Sequence, residues 1–133
     1  MQLTHRQESV MRNKCFILQE PMKRDHSSGQ MVPLMDFRKV LEYGEPVVCL
    51  PTGRVSLSPG PMIDALREKL RNFSDDDYIV SVGDPTAIFA AAMIASELNC
   101  GRVKALKWDK EMRQYIVVQL DIHFRTRKEN CVG

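Results

Sequence analysis

No apolar run in this chain is long enough to cross a bilayer. The longest, Ala87–Ala95, has nine residues, against the about 20 that a spanning helix needs. The basic residues near the start are not followed by the apolar stretch of about 7 to 15 residues that a secretory leader requires, so that segment does not read as targeting. Cysteine is sparse and scattered: Cys15, Cys49, Cys100 and Cys131 form no Cys-x-x-Cys pair. That suits thiols kept reduced better than a disulfide framework. The three histidines, His5, His26 and His123, are isolated from one another and from the cysteines, so no zinc-ligand spacing is present. Neither charge dominates either, with 19 Lys and Arg against 17 Asp and Glu. Residues 31–121 carry 11 basic and 13 acidic side chains. The positive excess therefore sits in the two ends, and the alkaline pI is no argument for a basic nucleic-acid-binding body.

What is present is ordinary for a globular domain: 133 residues, 44% apolar and 27% charged. The expected class is α/β or α+β, a small single domain of about four strands with two main helices and a C-terminal β-hairpin. Residues 1–30 have one apolar cluster, Cys15-Phe16-Ile17-Leu18, and no sustained periodicity. They read as a disordered N-terminal extension, and Met11, Met22, Met31 and Met35 all offer later starts. Residues 31–122 read as the compact domain, and residues 123–133 as a flexible basic tail.

Within that domain Asp36 to Tyr43 predicts two helical turns, and Val47 to Leu50 a strand closed by Pro51-Thr52-Gly53. The turn-rich loop Gly53 to Pro61 lacks the Gly-Lys-Ser or Gly-Lys-Thr ending of a phosphate cradle. From Pro61 to about Asn72, Met62, Ile63, Leu66, Leu70 and Phe73 recur at helical spacing, with Asp64, Arg67, Glu68 and Arg71 opposite. That is a one-sided amphipathic helix. Ser74-Asp75-Asp76-Asp77 lacks the alternating oxygen ligands, glycine and distal glutamate of a calcium loop, and reads as a solvated turn. Tyr78 to Val82 predicts a buried strand. Asp84 and Pro85 then form a self-capped helix start, whose carboxylate would occupy the first amides and repel an anion. Ala87 to Ala95 offers water no polar face, so this helix is expected to be covered on most sides. Gly101 is placed to end it.

Past Gly101, Arg102 to Trp108 and Arg113 to Ile122 predict a hairpin. Alternation puts Ile116, Val118, Leu120 and Ile122 on what is expected to be the core face. It leaves Trp108 and Tyr115 as an exposed aromatic pair beside Lys104 and Arg113. Such a surface is one that single-stranded nucleic acid can use, with bases stacked on rings and phosphates neutralised. The plain alternative is a cross-strand pair that only stabilises the hairpin.

Several short stretches carry a resemblance: Val47-Val48-Cys49-Leu50-Pro51, Ala65-Leu66-Arg67-Glu68-Lys69-Leu70, Asp76-Asp77-Tyr78-Ile79, Gly83-Asp84-Pro85, Gly101-Arg102-Val103-Lys104 and Leu106-Lys107-Trp108-Asp109. Over about Met31 to Asp121 the chain resembles short proteins of tailed bacteriophages, notably aquatic ones, a group with no assigned activity. The resemblance implies a phage origin and a bacterial cytoplasm, and it supplies no catalytic or binding residues. The residues themselves show no nucleophile with its base, no poised carboxylate pair, no metal-ligand cluster and no nucleotide loop. The expected function is therefore a non-enzymatic accessory or regulatory role through contact with a protein partner or a second copy, with no cofactor. Nucleic-acid binding through Lys104, Trp108, Arg113 and Tyr115 with the basic tail is the alternative. An enzyme assembled from scattered residues such as Cys49, Asp84 and His123 is a third reading.

Overall fold

The computed structural model describes residues 13–20, 22–33, 37–51 and 59–126. A five-stranded sheet has the order β4 (Glu45–Val48), β1 (Lys14–Ile17), β5 (Tyr78–Val80), β6 (Arg102–Asp109) and β7 (Gln114–Asp121). The first four run parallel, and β7 returns antiparallel to β6. A separate two-stranded ladder pairs β2 (Met22–Arg24) with β3 (Met31–Pro33). Two α-helices, α1 (Pro59–Leu70) and α2 (Pro85–Leu98), and a 3-10 helix (Arg38–Glu42) complete the described elements.

Chain direction explains the layers. From β4 to β5 and from β5 to β6 the chain moves the same way across the sheet. Right-handed crossovers then put α1 and α2 on one face. The step from β1 to β4 moves the opposite way, so its connection belongs on the other face. The packing agrees. Phe16, Leu18, Ile79 and Val103 meet Leu66, Leu70, Ala91 and Ile94 under the helices. Cys15, Ile17, Val80, Leu106 and Tyr115 meet Val40 of the 3-10 helix on the opposite side.

The expected extension over residues 1–30 does not hold for the part the structure describes. β1 lies between β4 and β5, and Cys15, Phe16, Ile17 and Leu18 are each at most 2% exposed. The domain therefore starts at least as early as Asn13, and the strands at 45–48 and 78–80 are not neighbours but flank β1. A run of four apolar residues is enough for a strand buried on both faces, and such a strand leaves no alternation to read. The turn before β5 is also not wholly solvated. Asp77 is buried, accepting from the Lys14 and Ser74 amides at 3.0 and 2.9 Å, and so ties the start of β1 to the start of β5. Residues 1–12, Asp36, the loop at 52–58 and the tail from 127 onward lie outside the described residues.

Both helices begin near their predicted starts. The Asp84 carboxylate accepts from the Thr86 and Ala87 amides at 2.8 and 3.3 Å, with Pro85 in the first turn. Past the end of α2, Gly101 has φ +83°, a left-handed conformation that favours glycine, and a Cβ there would also press on the Ile122 side chain at 2.5 Å. The expectation that α2 is covered on most sides is corrected. Ala87, Ala91, Ile94 and Ala95 are buried, but Phe89 and Met93 are 68% and 73% exposed, one turn apart on the outer surface. A uniformly apolar helix has no polar stripe to mark its outside.

The same burial generates a sharp contrast between two substitutions. Ala91 is fully buried, so Ala91→Asp is expected to cost about 4 kcal/mol or more in a urea unfolding experiment, because its carboxylate would have no partner there. Glu68→Ala loses only an exposed ion pair with Arg71 and should stay within about 0.5 kcal/mol of the parent. Equal losses from the two variants would contradict the placement of α2.

Candidate interaction surface

The residues singled out on the hairpin do come together, but not as an open platform. Trp108 sits opposite Tyr115 in the β6–β7 register, and the two rings meet edge to face at 5.0 Å. Tyr115 is only 3% exposed, because the 3-10 helix covers this face of the sheet. Lys104 lies over the Tyr78 ring at 4.3 Å, and Lys39 over Trp108 at 5.5 Å. Arg113 has φ +51° in the turn, and its carbonyl accepts from Lys39 Nζ at 2.6 Å. The expected exposure of the aromatic pair is thus corrected. The Tyr115 ring is packed in a core cluster and offers no face for a base.

The face expected to be core is the open one. Ile116, Leu120 and Ile122 are 37%, 53% and 73% exposed. They lie on the same side of the sheet as Val103, Ala105, α1 and α2, yet the helices extend only as far as β6. Alternation assigns two faces to a strand but cannot say which one a third layer will cover. The exposed row on β7 and the exposed Phe89 and Met93 on α2 lie on the helix side of the sheet. Ile116, Leu120 and Ile122 form an apolar row along one face of the edge strand, and apolar rows of this kind mark interaction sites more often than single exposed residues do.

The other residues weighed for chemistry do not converge. Cys49 and Asp84 lie at the carboxyl ends of the parallel strands, whereas His123 follows the antiparallel β7 at the opposite end. The topological switch, where connections from β1 and β5 diverge, is the place where an open α/β sheet usually takes a ligand. Beside it, Gln19 Nε2 past the end of β1 donates to the Pro51 carbonyl past the end of β4 at 2.8 Å. The Asp84 carboxylate occupies amides at the start of α2, while Pro59 and Pro61 remove donors from α1. An anion would find little there. A cavity of about 460 Å³ at the opposite end mixes Lys14, Lys69 and Arg71 with Glu68, Asp76 and Asp77, a lining without net attraction for either charge. Among the described residues no group of three or more His, Cys, Asp or Glu is arranged to hold a metal, and no helix is long and apolar enough to cross a membrane.

Two thiols are held protonated. Burial, reinforced by the nearby Asp77 carboxylate, pushes Cys15 from its ordinary 9.0 up to about 12. Burial likewise pushes Cys49 up to about 11. A nucleophilic cysteine needs the opposite shift, so both are packing residues.

Residues 13–122 match a protein-family model described as "Phage Pam3 gp32-like protein". No curated protein and no solved structure matches the chain.

Two measurements follow from this geometry. Trp108→Ala is expected to lower the unfolding free energy by about 2 kcal/mol through lost aromatic contact. An unchanged stability with weakened binding of a single-stranded oligonucleotide at low salt would instead return the ring to a stacking role. For the thiols, the folded state keeps protons that the unfolded chain releases above about 9. The stabilisation they contribute is complete below pH 9.0 and falls as pH rises toward 11 and 12. Urea titrations across that range should show a decline that Cys15→Ala with Cys49→Ala flattens, and an identical decline in that variant would contradict the assignment.

Proposed function

The chain belongs to the Phage Pam3 gp32-like protein family, and we propose that it works by contact with another polypeptide, without catalysing a reaction, in the cytoplasm of the bacterial host. The observation that carries this reading is the apolar row Ile116, Leu120 and Ile122 left open on the helix side of β7, in a domain several of whose titratable groups are used to hold its structure. Asp77 and Asp84 hold backbone amides. Cys15 and Cys49 are protonated in the core. Lys39 and Lys104 lie over aromatic rings. What remains accessible and unusual is hydrophobic, and burying it against a partner is favoured by about 25 cal/mol per Å².

Site-specific photo-cross-linking in cells making the protein tests this directly. A photoreactive amino acid at Leu120 or Ile122 should give adducts with a polypeptide, and the same group at Glu68 on the charged face of α1 should not. Equal yields at all three positions, or none at any, would contradict a contact role for this surface.

A further inference from the structure

The two edges of the sheet are built differently. On β4 the Glu45 and Cys49 amides donate inward to Asn13 and Ile17, so the alternate residues Pro46 and Val48 turn their backbone outward. Pro46 has no N–H to offer, and β4 is only four residues long. These are two of the devices that protect a sheet edge from pairing. On β7 the Ile122 amide donates to the Gly101 carbonyl, which fixes the even-numbered residues as those bonded to β6. The odd-numbered backbone groups therefore point outward. The Arg113 and Tyr115 carbonyls accept from Lys39 Nζ and Tyr43 Oη at 2.6 and 3.1 Å. No side chain among the described residues covers the outward groups of Val117 and Gln119 in this way. β7 is eight residues long and contains no proline.

Resting on the contact reading above, we propose that this stretch pairs antiparallel with the same stretch of a second copy, about a two-fold axis through Val118. Opposed residues in an antiparallel pair share a face, so the residue numbers of each pair must sum to an even value. Centring on Val118 sets Val117 of each copy against Gln119 of the other, which joins the open backbone groups to one another as hydrogen-bonded pairs. The same register places Ile116 opposite Leu120 and Val118 opposite Val118. The exposed apolar row then covers itself, apolar against apolar, on the helix side of a continuous ten-stranded sheet. The interface is isologous and closes at two copies, because each protomer presents one open edge and one blocked edge. Self-complementarity about a single axis is what selects a second copy over an unrelated strand.

The test reads register as well as association. In a Cys100→Ser, Cys131→Ser background, Val118→Cys should cross-link to itself on mild oxidation, since opposed residues of this kind bring Cα atoms about 4.5 Å apart. Ile116→Cys in the same background should not, being offset from its own copy. By sedimentation, Leu120→Lys should weaken self-association about tenfold or more. Adding Ile116→Glu should restore it, because the introduced carboxylate of each copy then faces the introduced ammonium of the other, twice across the axis. A parent chain that sediments as a monomer at every soluble concentration overturns the pairing, as does cross-linking at position 116 as ready as at 118. Adducts from position 120 to a different polypeptide, with none between copies, would also overturn it, while leaving the contact role standing.

Discussion

The fold depends on one strand being held between two others. Cys15, Phe16, Ile17 and Leu18 supply apolar side chains to both faces of the sheet at once. Phe16 meets Phe73 under the helices at a ring separation of 6.0 Å, and Ile17 meets Val40 beneath the 3-10 helix. The register of that strand is fixed at its start by Asp77, whose buried carboxylate accepts the Lys14 amide, and along its length by ladders to β4 and β5. A carboxylate inside a core is tolerated only with its hydrogen bonds made, and Asp77 makes them to both segments it joins. With β1 in place, the opposed directions of the connections from β1 and from β4 put helices on one face and the 3-10 segment on the other.

That arrangement decides which surfaces remain. Two crossover helices cover β4, β1, β5 and β6 but stop short of β7. The 3-10 segment reaches β7 on the other face, where it buries Tyr115 and caps two outward carbonyls. The final strand is thus covered at Tyr115 on one face and along half of its edge, and bare on the helix side. Ile116, Val117 and Leu120 would be an aggregation hazard on a chain with nothing to pair with. The protected β4 edge shows that pairing is managed on the opposite side of the same sheet.

Where local chemistry dictated the outcome, the sequence was readable. Asp84-Pro85, the stripe Met62, Leu66 and Leu70, and the hairpin around Asp109 to Met112 each fix a local structure with their own side chains. The phage resemblance noted from short motifs agrees with the family match, which begins at residue 13 rather than 31. The centre of the sheet was not readable, because four apolar residues flanked by polar sequence look alike in a buried strand and in a disordered arm. Nor was the outside of α2, whose Phe89 and Met93 differ from buried neighbours only in where the sheet lies. The candidate site on Trp108 and Tyr115 was legible as a pair and not as a surface. Its burial is imposed by Val40, far earlier in the chain, a contact that periodicity cannot report.

Amide hydrogen exchange along β7, followed by NMR as protein concentration rises, tests the central claim most directly. If β7 works by edge contact, the Ile116, Val118 and Leu120 amides are slow at every concentration because they bond to β6. The Val117 and Gln119 amides should be fast in dilute protein and become protected as copies or partner are added. Exchange at Val117 and Gln119 that stays fast at all concentrations and with every added polypeptide would contradict it.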